Sequence, residues 1–210
     1  MKNSLIFILL LLYGCQADNY VLTDPRPAFT TPVTPSKELQ FAMKWYNENS
    51  YHIFELIEQF GGRHPLFNEM IPYWGQSFIE SDERYIAVQM ALITKTSRIF
   101  VLPENSNIYK ITGDKRYLSA MTRLVILTDQ EKEETHGFFM SILPSPEYLE
   151  KTNFRPFCNN NYLKKDKDFS GSILYHDLNG NQANGWIYEN GKIKASLARP
   201  KQNIGEEEKQ

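Results

Sequence analysis

The Asn-Gly dipeptides Asn179-Gly180 and Asn190-Gly191, near the end of the chain, restrict the fold most. They separate short runs rich in aromatic and β-branched residues between positions 169 and 193. Both central residues of a type I′ turn have positive φ, a conformation that Asn and Gly adopt most readily. The spacing therefore predicts three short strands joined as a β-meander.

A second hairpin is predicted upstream. The apolar runs Arg123–Leu127 and Phe138–Leu143 flank the charged stretch Asp129–Glu134, which suits an antiparallel pair with a solvated turn. Residues 86–92 alternate as a half-buried strand would. The segment 144–149 contains Pro-Ser-Pro and predicts a capped, one-turn helix.

Helical spacing dominates the region before residue 61. A first helix is predicted to begin at Thr34-Pro35, where a capping hydroxyl precedes a proline, and a second to end at Gly61-Gly62. Their apolar stripes recur at i, i+3, i+4 and i+7: Leu39, Ala42, Met43 and Tyr46, then Ile53, Leu56, Ile57 and Phe60. The fold class expected is α+β, with two N-terminal helices packed on a mainly antiparallel sheet and a C-terminal β-meander.

The start of the chain has the three parts of a secretion signal. A basic start with Lys2 precedes the apolar run Leu5–Leu12, and the small residue Gly14 precedes Cys15. The run is shorter than the ~20 apolar residues that a membrane-spanning helix needs. Residues 1–14 are therefore predicted to be a signal peptide that is cleaved between Gly14 and Cys15.

The sequence Leu12-Tyr13-Gly14-Cys15 resembles the lipobox of bacterial lipoproteins, although that pattern has a small residue where Tyr13 stands. The resemblance implies that the Cys15 thiol receives a diacylglycerol and that Cys15 becomes the anchored first residue. A cysteine suits this chemistry because its thiolate is a nucleophile. The alternative is an ordinary secreted protein cut near Gly14.

The domain boundaries follow from composition. Residues 15–35 contain four prolines and form a predicted extended tether behind the lipidated cysteine. Residues 36–197 are predicted to form a single domain, and the charged tail 198–210 is predicted to be disordered. Asp18 resembles the surface-export signal of Bacteroidota lipoproteins. The predicted location is the cell envelope, anchored by lipid to the outer membrane on its periplasmic or surface face.

Composition limits the function classes. The formal net charge is −2 and no basic block stands out, which excludes nucleic acid as an expected partner. If Cys15 is acylated, Cys158 has no partner within the chain, so no disulfide is expected. The 13 Phe, 12 Tyr and 3 Trp suit a β-rich domain whose surface binds sugars or peptides.

One motif resembles the opening of a calcium loop. Asp177, Asn179 and Asn181 have the one-three-five spacing, but Gln182 stands where Gly is required and Tyr188 where a bidentate Glu is needed. A plain hairpin turn is therefore expected here, with no metal bound.

No other pattern predicts catalysis, a cofactor or a metal. The four histidines lie apart in sequence, outside metal-ligand spacing: His52, His64, His136 and His176. Nucleophile-elbow, phosphate-loop and dinucleotide signatures do not occur. The expected set of catalytic residues is therefore empty.

The string Y-x-D-x-N-G-N followed by G-W-x-Y-x-N-G-K, here Tyr175 to Lys192, resembles a motif near the end of a family of uncharacterised Bacteroidota lipoproteins. Residues 42–46 resemble the A-x-K-W-Y helix that follows the tether in that family, and residues 73–92 resemble its middle segment. The last strands are also similar to a MORN-like hairpin unit. The family implies a location and no activity.

Together these patterns predict an envelope lipoprotein that acts as a binding or structural module through exposed aromatic residues. Its expected partners are membrane lipid, through acylated Cys15, and an envelope protein or glycan. Two alternatives stay open at this point: an envelope hydrolase acting on glycan or peptide, and an assembly or scaffold factor.

Overall fold

A computed structural model describes residues 35–59, 70–94, 100–157 and 159–197. The predicted signal peptide, Gly14, Cys15, the tether up to residue 34, Cys158 and the predicted tail 198–210 lie outside the described residues. Among the helices that are described, none is long and apolar enough to cross a membrane.

The architecture is a seven-stranded antiparallel sheet whose strands lie side by side in chain order. The strands are β1 (Met70–Ser81), β2 (Tyr85–Thr94), β3 (Met121–Asp129), β4 (Glu134–Pro144), β5 (Gly171–His176), β6 (Gln182–Glu189) and β7 (Lys192–Ser196). The helices are α1 (Lys37–Gln59), α2 (Pro103–Thr112) and α3 (Pro146–Lys151), with a 3₁₀ helix at Lys115–Leu118.

The predicted fold class is wrong in its helical part. A single helix, α1, occupies the region where two packed helices were expected, and the other described helices are short. It begins after Ser36, whose hydroxyl accepts a hydrogen bond from the Leu39 amide at 3.2 Å. The helix continues through Asn47, Asn49 and Ser50 because these weak helix formers cost only about 0.5 kcal/mol each, and no Gly or Pro interrupts it.

The predicted strands are present, and one more precedes them. The C-terminal meander is the last part of a meander that includes every strand of the sheet. The sequence pattern does not predict β1, because the register of this strand with β2 shifts between Pro72 and Ser77. A bulge of this kind interrupts the two-residue alternation on which strand prediction relies.

The two Asn-Gly turns differ. At the β6–β7 turn, Asn190 has φ 49° and Gly191 has φ 72°, which confirms the predicted pair of left-handed residues. At the β5–β6 turn only Gly180 of the pair has positive φ, at 81°. The turn is closed instead by Asp177, whose carboxylate accepts from the Asn181 amide at 2.8 Å and from its side chain at 2.9 Å. The calcium-like motif is thus a hydrogen-bonded turn.

Both faces of the sheet are covered. On the helix face, Ala42 of α1 packs with Val88, Met90, Leu124, Ile126 and Phe139. On the opposite face, which we call the loop face, Tyr148 and Phe169 pack with Ala87, Val125, Leu127, Met140, Ile142, Ile173 and Tyr188. Residues 87–90 of β2 are therefore all buried, and β2 is not the half-buried strand that its sequence predicts.

Both edge strands carry features that discourage pairing with another sheet. The outer strand β1 has the bulge after Pro72, and the short β7 has a second irregularity at Lys194. Every residue of β7 is exposed. Bulges, prolines and lysines on an edge disrupt the row of free backbone groups that a further strand would need.

Candidate functional site

The site begins with a chain segment that crosses the loop face. Residues 156–157 and 159–168, which we call the strap, follow α3 and return the chain to the sheet. The end of α3 turns the chain: the Phe154 amide bonds the Leu149 carbonyl at 2.7 Å and the Asn153 amide bonds that of Glu150 at 2.9 Å. This is the hydrogen-bond pattern of a Schellman motif.

A polar cluster fastens the strap to the sheet. It consists of Glu80 on β1, Gln89 on β2, Arg123 on β3, and Asn160 and Asn161 on the strap, and we call it the polar clamp. Arg123 donates to the Asn160 carbonyl at 3.1 Å and to the Asn161 side chain. Asn161 donates to Glu80 at 2.9 Å, and Gln89 donates to the second Glu80 oxygen at 2.7 Å. Buried amides and charges are stable when their hydrogen bonds are satisfied in this way.

Arg123 is the buried cation of the polar clamp. Its side chain lies over the Phe78 ring, with the guanidinium carbon 5.0 Å from the ring centroid, and only 6% of the residue is exposed. Burial lowers the pKa of Arg123 to about 10, and the negative charge of Glu80 acts in the opposite direction by raising it. The guanidinium is still charged at neutral pH, so removing it would leave polar strap atoms without their partner.

The clamp places one aromatic ring beside three others. The Tyr162 amide donates to Gln89 at 3.0 Å, which holds the Tyr162 side chain against the loop face. There it joins Tyr85 of β2, Phe138 of β4 and Tyr175 of β5, and all four are partly buried against the core. We call these four residues the aromatic patch.

Three of the four rings of the patch pack edge to face or tilted. The ring centroids of Phe138 and Tyr162 are 5.2 Å apart, those of Phe138 and Tyr175 5.9 Å, and those of Tyr162 and Tyr175 6.3 Å. These separations lie in the range in which aromatic pairs attract. Phe138, Tyr162 and Tyr175 therefore hold one another in a fixed arrangement.

The phenol groups of the patch are chemically available. Across the described part of the chain, the hydroxyls of Tyr85, Tyr162 and Tyr175 make no hydrogen bond, whereas that of Tyr148 donates to Asp166 at 2.9 Å. Burial raises the pKa of Tyr162 and of Tyr175. The hydroxyls of Tyr162 and Tyr175 are therefore neutral at physiological pH and can both donate and accept.

Charges next to the patch are paired. Asp129, the β3 partner of Tyr85, accepts from Arg84 at 2.7 Å, and the hydrogen bond from Arg84 lowers the pKa of Asp129. The same guanidinium lies 4.9 Å from the Tyr85 ring centroid and 3.6 Å from Glu131. The charge of Arg84 is thus offset by Asp129 and Glu131 next to the aromatic patch.

Most aromatic rings contribute to packing. Among the side chains that the structure describes, Phe41 is the single aromatic residue classed as exposed, at 49%. A binding surface of fully exposed rings is therefore not present on the described residues, and the half-buried patch is the aromatic surface that could take its place.

The two histidines whose side chains the structure describes do not form a common site. His136 is exposed on β4, at 3.6 Å from Glu134, and His176 is buried on β5 with its ring stacked on Phe100 at 5.5 Å. His64 lies outside the described residues, as does the side chain of His52. In the ranges that are described, no group of three or more His, Cys, Asp or Glu could hold a metal ion.

Comparison with known proteins found no matching family model, no matching curated protein and no matching solved structure. The resemblance to a Bacteroidota lipoprotein family stays a prediction from the quoted motifs.

Proposed function

We propose that this chain is a lipid-anchored protein of the cell envelope whose sheet domain binds a ligand at the aromatic patch. The observation that carries the binding role is the placement of Tyr162. A buried polar clamp holds this residue beside Tyr85, Phe138 and Tyr175 while three tyrosine hydroxyls of the patch keep their hydrogen-bonding capacity. Binding sites are commonly apolar surfaces with a few polar groups of this kind.

A hydrolase is the weaker alternative. It needs a pair of carboxylates whose environments separate their pKa values. Among the described residues, Asp129 is the one buried carboxylate, and its oxygens are engaged by Arg84 and by the backbone amides of Glu131 and Lys132. This arrangement stabilises a turn and leaves Asp129 unsuited to proton transfer.

A scaffold that assembles by sheet extension is also less well supported. The bulges in β1 and β7, and the lysines on β7, work against strand addition at either edge. The binding role therefore fits the described surface better than an assembly role of that type.

The lipid anchor is supported by the motif at Gly14-Cys15 and is tested separately from ligand binding. Cells expressing the full chain and supplied with labelled palmitate should incorporate the label, because a lipidated Cys15 carries acyl chains. Cys15→Ala should lose the label, since it removes the acceptor thiol. The matched control is Cys158→Ala, which should keep it. Label that persists in Cys15→Ala would refute the anchor.

Ligand binding at the patch can be tested independently of the lipid anchor. A bound ligand must cover Tyr162 and Tyr175, so both rings should become less accessible to solvent when the ligand is present. Oxidative labelling of the protein with and without envelope fractions tests this.

A further inference from the structure

The ligand class can be inferred from the chemistry of the patch, on the assumption that the proposed binding role holds. The patch itself has no formal charge, since it consists of Phe138 and three neutral tyrosines. Its surface combines ring carbons with hydroxyls that donate and accept. Tyrosine has this amphipathic character, with an apolar body and a polar tip.

The surroundings add amide and imidazole groups. Asn184 is the β6 partner of Tyr175 and is exposed, and His136 is exposed on β4 two residues before Phe138. Groups like these fix the orientation of a polar ligand by hydrogen bonding, without requiring a charge on it.

Two of the nearby cations, Arg84 and Lys165, are compensated. Arg84 is shared between Asp129 and Glu131, at 2.7 and 3.6 Å. Lys165 donates to the Tyr162 carbonyl at 3.2 Å, and the charge of Glu80 acts on it. An anionic ligand would have to compete with these carboxylates for Arg84 and Lys165, so an anion fits the patch poorly.

We infer that the aromatic patch binds an uncharged carbohydrate. Sugar rings present C–H faces that pack on aromatic rings and hydroxyls that pair with the phenols of Tyr85, Tyr162 and Tyr175. A neutral polyol meets both demands without leaving a charge unpaired.

The test is a titration of the full chain in a detergent that lacks a sugar headgroup. The probes are neutral glucan, mannan and chitin oligosaccharides, with uronic-acid oligosaccharides as the anionic comparison, and binding is measured by calorimetry. We expect at least one neutral oligosaccharide to bind in preference to the anionic set. Tyr162→Phe and Tyr175→Phe keep the rings and remove the hydroxyls, so each should weaken binding about fivefold.

Tyr117→Phe is the matched control, because its hydroxyl bonds Glu150 away from the patch, and it should bind as the unchanged chain does. Preference for anionic oligosaccharides, or neutral binding that neither patch variant weakens, would overturn the carbohydrate inference. If no sugar binds but envelope peptides shield Tyr162, the inference fails while the proposed binding role stands. If no envelope fraction shields the patch, the proposed role fails as well.

Discussion

Gly171→Ala is expected to lower the free energy of unfolding by about 3–5 kcal/mol. Losses of this size arise when a substitution causes a defined structural conflict. Gly171 begins β5 with φ +143°, a conformation that other residues rarely adopt. A Cβ there would lie 2.2 Å from the Leu143 carbonyl oxygen and 2.9 Å from Pro144 Cα. Both atoms belong to the backbone, so neither can rotate away.

The expected movement also affects the strap. Relief of the contact would separate β4 from β5 next to the hydrogen bond between the Ser145 amide and the Ser170 carbonyl, which is 2.8 Å long. That bond joins the start of α3 to the segment that follows the strap. The loss should therefore appear as a lower midpoint in urea denaturation monitored by both fluorescence and circular dichroism.

Gly113→Ala is the control that separates the cost of backbone strain from the cost of the steric contact at Gly171. Gly113 ends α2 with φ +71°, but a Cβ at this position would meet nothing within 4 Å. Only the cost of a left-handed residue remains, about 1–2 kcal/mol. Equal losses for the two alanine variants would contradict the close approach described at Gly171.

Arg123→Ala is expected to cost about 3 kcal/mol, because removing one member of a buried charged network leaves its partners uncompensated. Glu80 would lose the nearby charge of Arg123, and the Asn160 carbonyl and Asn161 side chain would lose a donor. The strap should loosen, so hydrogen exchange at the Tyr162 amide should quicken more than exchange in β4.

Arg123→Met distinguishes hydrogen bonding from packing at the same position. Methionine keeps an apolar stem over Phe78 and removes the guanidinium. We expect a loss smaller than that of Arg123→Ala, with the same faster exchange at Tyr162. Arg116→Ala is the surface control: its guanidinium is exposed and bonds Asp114 locally, so stability should change little. An Arg123→Ala variant as stable as this control would show that the clamp does not hold the strap.

Local features of the sequence determined what could be predicted about the fold. The left-handed pair at Asn190-Gly191 and the charged turn between β3 and β4 are properties of a few adjacent residues, so both hairpins were predictable. The sequence predicts two helices in place of α1 because Asn and Ser suggest a helix end. The packing of Ala42 on the sheet cannot be read from local composition.

The candidate site depends on contacts between distant residues. Glu80 and Asn161 are 81 positions apart and meet only because the strap returns across β1 to β3. The aromatic patch takes its four members from three strands and the strap. The aromatic content suggested a binding surface, but only the fold separates rings that pack in the core from rings that form the patch.

The most direct test of the proposed binding role is hydroxyl-radical footprinting of the full chain, read residue by residue with and without neutral envelope glycans and other envelope fractions. If the patch is the binding surface, ligand should slow oxidation of Tyr85, Tyr162 and Tyr175 while Tyr117 and Phe41 react as before. Protection confined to Tyr117 or Phe41, or unchanged oxidation of the patch in every fraction, would contradict the account.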